Sequence, residues 1–345
     1  MKQAVAVVVA ALLVTVGAIA LLADRGGDGG GATSPGDQPN VFETTTTLTD
    51  EERTAREAAD TYQTGVEAAL APLGDVAGRY VTDVQSWKDG LVDDATLRTS
   101  LAGWKTDITA VRINVEALEP FEPAPAAHPS FVALAAFYDA AIDASTAALD
   151  IPPGELRDQT ARLAQRLRTL GDRSFERANA ALAAAASRDP DPNVAVVDPV
   201  PDWAAEDLAA GPPLEANPPA PASLDEAEGT TQPRDDWLAA VAGAGAPTAT
   251  EVLDVLRDGS ADDLAAVARR LEDAAAQLRT LPDPEGEDGR EESARVRLGF
   301  LALAEVARLG QVATFVEAPD LAERLRFTGS SLHAIVSVPA FSPAP

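Results

Sequence analysis

The chain has 345 residues, an ordinary apolar fraction of 46% and a formal net charge of −28, so there is room for two domains but no basic patch of the kind nucleic acid requires. It contains no cysteine, which excludes disulfides, thiol catalysis, zinc–thiolate sites and attachment through a lipidated cysteine. Lysine occurs only as Lys2, Lys88 and Lys105 while arginine is plentiful, a bias that points to a GC-rich bacterial genome.

In chain order the first feature is Ala4–Leu22, nineteen residues without a charge behind Met1-Lys2-Gln3. As a helix it is ~28 Å long, about the thickness of a hydrocarbon core. It exceeds the apolar stretch of an ordinary secretory signal, and its one good small-x-small match, Ala18-Ile19-Ala20, lies before Leu21-Leu22, inside the run. Residues 1–23 are therefore expected to form a retained transmembrane anchor rather than a cleaved leader. Lys2 and the α-amine favour an N-terminus on the cytoplasmic side, with the bulk of the chain extracytoplasmic. Residues 24–49 follow as a flexible tether, rich in glycine and then threonine (Thr44–Thr47).

Thr49-Asp50-Glu51-Glu52 has the spacing of a capping box, so a long helix is expected to begin here. Its apolar positions run through Val66, Leu70, Leu73, Val76, Tyr80, Val84, Trp87 and Leu91; Pro72 should kink or divide it, and Asp89-Gly90 should end it. Next, Leu97, Leu101, Trp104, Ile108, Val111, Val115 and Leu118 recur at steps of 4, 3, 4, 3, 4 and 3, a heptad-type seam. Burying seven such side chains yields ~10–20 kcal/mol gross, while ordering each residue costs ~1.5 kcal/mol, so this helix needs neighbours. A third helix is outlined by Phe131, Leu134, Phe137, Tyr138, Ile142 and Leu149. After Pro152-Pro153-Gly154, a fourth runs through Leu156, Leu163, Leu167, Leu170, Phe175 and Leu182. Short turns between four helices imply an antiparallel bundle over 50–187.

Residues 188–234 carry ten prolines and ten acids, the composition of a linker. Within it Trp203 and Leu208 stand without a periodic stripe, a short motif that either docks an extracellular partner or folds back onto a bundle groove. Helical patterning returns over 235–336, in Trp237–Val241, Thr250–Arg257, Asp262–Leu281, Glu291–Val316 and Pro319–Val336, and a short tail occupies 337–345. The expected fold is thus all-α: an N-terminal transmembrane helix, then two antiparallel helical-bundle modules joined by a Pro/acid-rich linker. Trp87–Asp94 matches Leu256–Asp263 in pattern, and the glycine-to-proline interval shortens from thirty residues (Gly90 to Pro120) to twenty-three (Gly259 to Pro282). The difference of seven is two helical turns, which preserves the facing of a seam. Internal duplication is one explanation; convergent Ala/Leu/Asp patterning is the other.

The proline-rich stretch Leu118–Phe131 (LEPFEPAPAAHPSF), followed by alanine-rich helices carrying Leu167–Asp172 (LRTLGD), resembles secreted or membrane-anchored helical proteins of high-GC Gram-positive bacteria. That resemblance implies a helical envelope protein and brings no catalytic residues with it.

Residues that carry chemistry are few. The only histidines are His128, before a helix, and His333, in an apolar stretch, and no zincin or phosphate-loop motif occurs. An EF-hand counted from Asp283 would need glycine at Asp288 and glutamate at Ala294, so the loop fails as a calcium site. Asp93-Asp94 and Asp262-Asp263 precede helices, where N-capping accounts for them, while Trp87 and Trp104 fall on core seams. No catalytic, cofactor-binding or metal-ligating residue is expected, and the chain is read as a non-enzyme. The expectation is a membrane-tethered binding, scaffolding or accessory component of the bacterial cell envelope, held by its N-terminal helix and serving an extracytoplasmic or membrane protein partner. Two alternatives remain: a carboxylate-using hydrolase, and an acidic ligand- or cation-binding bundle.

Overall fold

The structure, a computed structural model, describes residues 50–188, 231–286, 289–337 and 341. Among them the secondary structure is helical apart from one pair of two-residue strands, in keeping with the all-α expectation. The apolar run Ala4–Leu22, the tether, Thr49 and the linker residues Trp203 and Leu208 lie outside the described residues.

Helix α1 (Asp50–Lys88) continues through Pro72, so of the kink or division expected there the division does not occur. The lost hydrogen bond is outweighed by burial on either side of it, since Leu70, Leu73 and Val76 are all fully enclosed. Gly90 ends the run as expected, with φ +73°, a left-handed conformation that side chains with a Cβ resist. Helix α2 (Asp94–Glu116) buries Leu97, Leu101, Trp104, Ile108, Val111 and Val115, the seam read from the 4,3 spacing, while Leu118 beyond it is half-buried. Asp93 caps it by accepting the Thr96 N–H at 2.8 Å.

Helix α3 (Ala127–Asp150) is enclosed on nearly all faces, its many alanines letting neighbours approach closely. Helix α4 (Glu155–Arg188) packs along it more extensively than any other described pair of helices. Gly171 permits that approach: a Cβ there would stand 2.8 Å from Tyr138 Cδ2.

The chain re-enters through a feature the sequence did not suggest. Strand β1 (Thr231–Gln232) pairs in parallel with β2 (Asp283–Pro284), and Gln232 Nε2 donates to the Pro282 carbonyl at 2.9 Å. Helices α5 (Arg234–Gly243), α6 (Ala249–Asp258) and α7 (Ala261–Thr280) lie between the strands; α8 (Gly289–Phe315) and α9 (Pro319–Val336) follow. The matched turns before α2 and α7 fold differently. Ser260 caps α7 and forms a reciprocal box with Asp263, so α7 begins two residues earlier in the matched register than α2, where Leu91 has no hydroxyl to offer.

Whether the two helical stretches pack together was left open by the sequence; they do. The described residues all belong to one compact unit that spans 48–345. Helix α3 lies against α2, α4 and α9, and α8 lies against α7, α9 and α4. The cross-contacts are reciprocal: the apolar core helix of each stretch, α3 or α8, meets the last helix of the other, α9 or α4. By length and composition, Ala127–Asp150 and Glu292–Phe315 are apolar enough to cross a membrane. Here they are the two core helices, with 78% and 83% of their most apolar windows buried in the protein.

Candidate functional site

At one end of the first four helices the α1–α2 and α3–α4 turns stand side by side, and an open cleft of about 930 Å³ lies between them. Gly90 turns the chain out of α1, Asp93 caps the start of α2, and Pro153-Gly154 lead into α4, so the rim is built from two turns and the helix ends beside them. Trp87, expected in the core, is instead half-buried and lines this cleft. Its position at the last turn of α1 carries it past the end of the apolar seam.

The floor is a locked polar group. The Trp87 indole N–H donates to Asp94 Oδ1 at 2.7 Å, and Arg157 Nη2 donates to the same oxygen at 2.5 Å. The Arg157 guanidinium lies 4.9 Å from the centre of the Trp87 ring, a cation–π contact. Hydrogen bonds from Trp87 and Arg157 hold the Asp94 carboxyl below the usual carboxylate range. Asp93 is likewise held down, by the hydroxyl and then the N–H of Thr96. Capping thus accounts for Asp93 but not for Asp94, whose carboxylate serves α1 and α4 instead.

Above this floor stand Lys88 and Arg162. Lys88 Nζ donates to Gln165 Oε1 at 2.8 Å. Burial and the neighbouring Arg162 push the Lys88 pKa down, against the opposing pull of Asp158 and Asp89. The Arg162 Nε is buried and has no hydrogen-bond acceptor among the described residues.

Two polar clusters lie in the interior. Between the two halves, Arg166 on α4 donates from Nε to Glu305 Oε1 at 2.7 Å and from Nη2 to Glu272 Oε1 at 2.8 Å. Arg308, 0% exposed, reaches both oxygens of Glu272 at 2.7 Å, while its Nε and Nη1 find no acceptor among the described residues. Within the first half, the Tyr138 hydroxyl donates to Asp172 Oδ1 at 2.6 Å, and Arg168 Nη2 stands 3.2 Å from Asp172 Oδ2. Burial raises the Asp172 pKa to about 6, with Arg168 and Tyr138 pulling the other way. Both clusters are enclosed by packed helices, which suits holding the fold rather than meeting a ligand.

The remaining sequence candidates separate widely. His333 is buried, with Nε2 2.7 Å from the Ala249 carbonyl and 3.1 Å from Ser337 Oγ. His128 is half-buried at the start of α3. Asp283 and Pro284, considered for a calcium loop, form β2. Among the described residues no group of three or more His, Asp or Glu is placed to hold a metal ion. Sequence inspection passed over Arg157 and Arg162. The usable signal was the Pro152-Pro153-Gly154 turn, which places the first turns of α4 beside the end of α1.

Compared with known protein families, curated proteins and solved structures, the chain matches none of them.

Proposed function

We propose that this protein is a membrane-tethered, extracytoplasmic binding, scaffolding or accessory component of the bacterial cell envelope. The observation that carries the reading is the open cleft at the turn end of the first four helices, a concave site lined by two turns and the helix ends beside them and carrying charged groups of both signs. The tether is supported by the uncharged run Ala4–Leu22, and the extracytoplasmic setting by Lys2 on its N-terminal side. Trp203 and Leu208 supply a second contact, toward a partner protein or back onto the helical body. We infer further that the two helical stretches are copies of one ancestral unit. That inference draws on the matched Trp87–Asp94 and Leu256–Asp263 segments and on the reciprocal contacts of α3 with α9 and of α4 with α8.

Proximity labelling from the intact protein in cells, with the labelling enzyme fused at the C-terminus, tests this function. Envelope and membrane neighbours should be labelled, and Trp203→Ala should remove the subset held by the linker motif. Labelling of cytoplasmic proteins would overturn the topology, and an identical neighbour set after charge reversal across the cleft and Trp203→Ala together would overturn the binding role.

A further inference from the structure

We propose that the cleft between the α1–α2 and α3–α4 turns binds a small oxyanion, the carboxylate or phosphate group of a soluble ligand, between Lys88 and Arg162. The inference rests on the reading of the chain as a binding component and names what this site takes.

The lining carries both signs, with Lys88, Arg157 and Arg162 facing Asp93, Asp94 and Asp158. What distinguishes the signs is how far each group is already committed. Asp93 accepts the Thr96 N–H as the cap of α2, and Asp94 accepts both the Trp87 indole and Arg157. Arg157 is consumed in turn by Asp94 and the face of Trp87. Asp158, exposed as Lys88 also is, offers a counter-charge to Lys88 but no hydrogen-bond donor to a ligand. The capacity left over is therefore on the donor side. Lys88 has spent one of its three N–H bonds, on Gln165, and the buried Nε of Arg162 has no acceptor among the described residues.

Arg162, half-buried, and Lys88, at the exposed edge, repel each other, and an anion shared between them relieves that repulsion. Arginine supplies a planar fork and lysine a mobile point charge, a pairing suited to an oxyanion with two or more acceptor oxygens. The first turn of α4 opens on the cleft at Gly154, but it carries Glu155 and Asp158, which offset the positive end of the helix. The global charge of −28 opposes any long-range attraction of anions, so affinity must come from these local donors.

The test is isothermal titration calorimetry on the full-length protein in detergent micelles at low ionic strength, with inorganic phosphate in one arm and malonate in the other. Saturable binding is expected in at least one arm, and the arm that responds identifies the anion as phosphate or carboxylate. Arg162→Gln and Lys88→Gln should each weaken it about tenfold, the loss expected for one charge-assisted contact. Arg162→Lys should recover part of the loss, and Arg326→Gln, on the exposed surface of α9, should leave binding unchanged. Thermal melts of the variants report whether they fold. Absence of saturable heat with either anion, or wild-type affinity in folded Lys88→Gln and Arg162→Gln, overturns the proposal. Anion binding that persists when envelope labelling fails removes the scaffold role alone; the converse removes only the anion site.

Discussion

Asp172 is the residue whose charge state the fold disturbs most usefully. It is 3% exposed, hydrogen-bonded by Tyr138 and close to Arg168, and its pKa stands at about 6 against the usual carboxylate value near 4. The folded state thus holds a proton that the unfolded state has released, so this group's contribution is full below about pH 4 and is lost as pH rises through about 6. Urea unfolding of the wild type should show stability falling across that window by up to ~3 kcal/mol from this group. Asp172→Asn should abolish that slope. It should also raise stability at pH 7, because the amide stands in for the neutral carboxyl that the fold prefers and still accepts the Tyr138 hydroxyl. A slope unchanged in the variant would mean that another group titrates.

At the scale of elements, the depth of burial separates tryptophans and leucines that look alike in sequence. Trp104 on α2 is 3% exposed and lies 5.9 Å from the Tyr80 ring, whereas Leu91 in the α1–α2 turn is 79% exposed. Trp104→Ala should cost about 3–5 kcal/mol in chemical denaturation, and Leu91→Ala should fall within about 0.5 kcal/mol of wild type. The α2 seam was legible because its periodicity and the Asp93 cap agree on one face and one start. Trp87 was not, because periodicity reports which face a residue occupies and not whether a neighbouring helix extends far enough to cover it. Pro72 misled for a related reason: the local penalty is real, but the burial of Leu70, Leu73 and Val76 that outweighs it depends on helices distant in sequence. Strands of two residues, β1 and β2, have no periodicity to read.

For the whole molecule, the junction of the two halves rests on contacts between residues far apart in sequence. Arg166 and Glu305 are 139 residues apart and Arg324 meets Asp150 across 174, separations at which no spacing rule operates. The apolar core helix of each half, α3 and α8, was visible in the sequence as an apolar run, but its apposition to the last helix of the other half was not. Removing one carboxylate from the junction should be severe, since Arg166 and the enclosed Arg308 would share a single remaining partner, Glu272. Glu305→Ala should destabilise the protein by about 3–5 kcal/mol. Because the halves share this interface, wild-type unfolding monitored near Trp104 and near Trp237 should give coincident transitions, and separate midpoints would show that the halves unfold independently.

The reciprocal packing of α3 on α9 and α4 on α8 should also make the covalent connection between the halves dispensable for assembly. The contacts that join them are made by residues on either side of the stretch between Arg188 and Thr231, and β1 fixes the re-entry point against β2. A chain severed within that stretch should persist as a two-piece complex: fragments 1–188 and 231–345, co-expressed, should co-purify and melt as one species. Fragments that separate on size exclusion would show that the peptide link itself holds the halves in register.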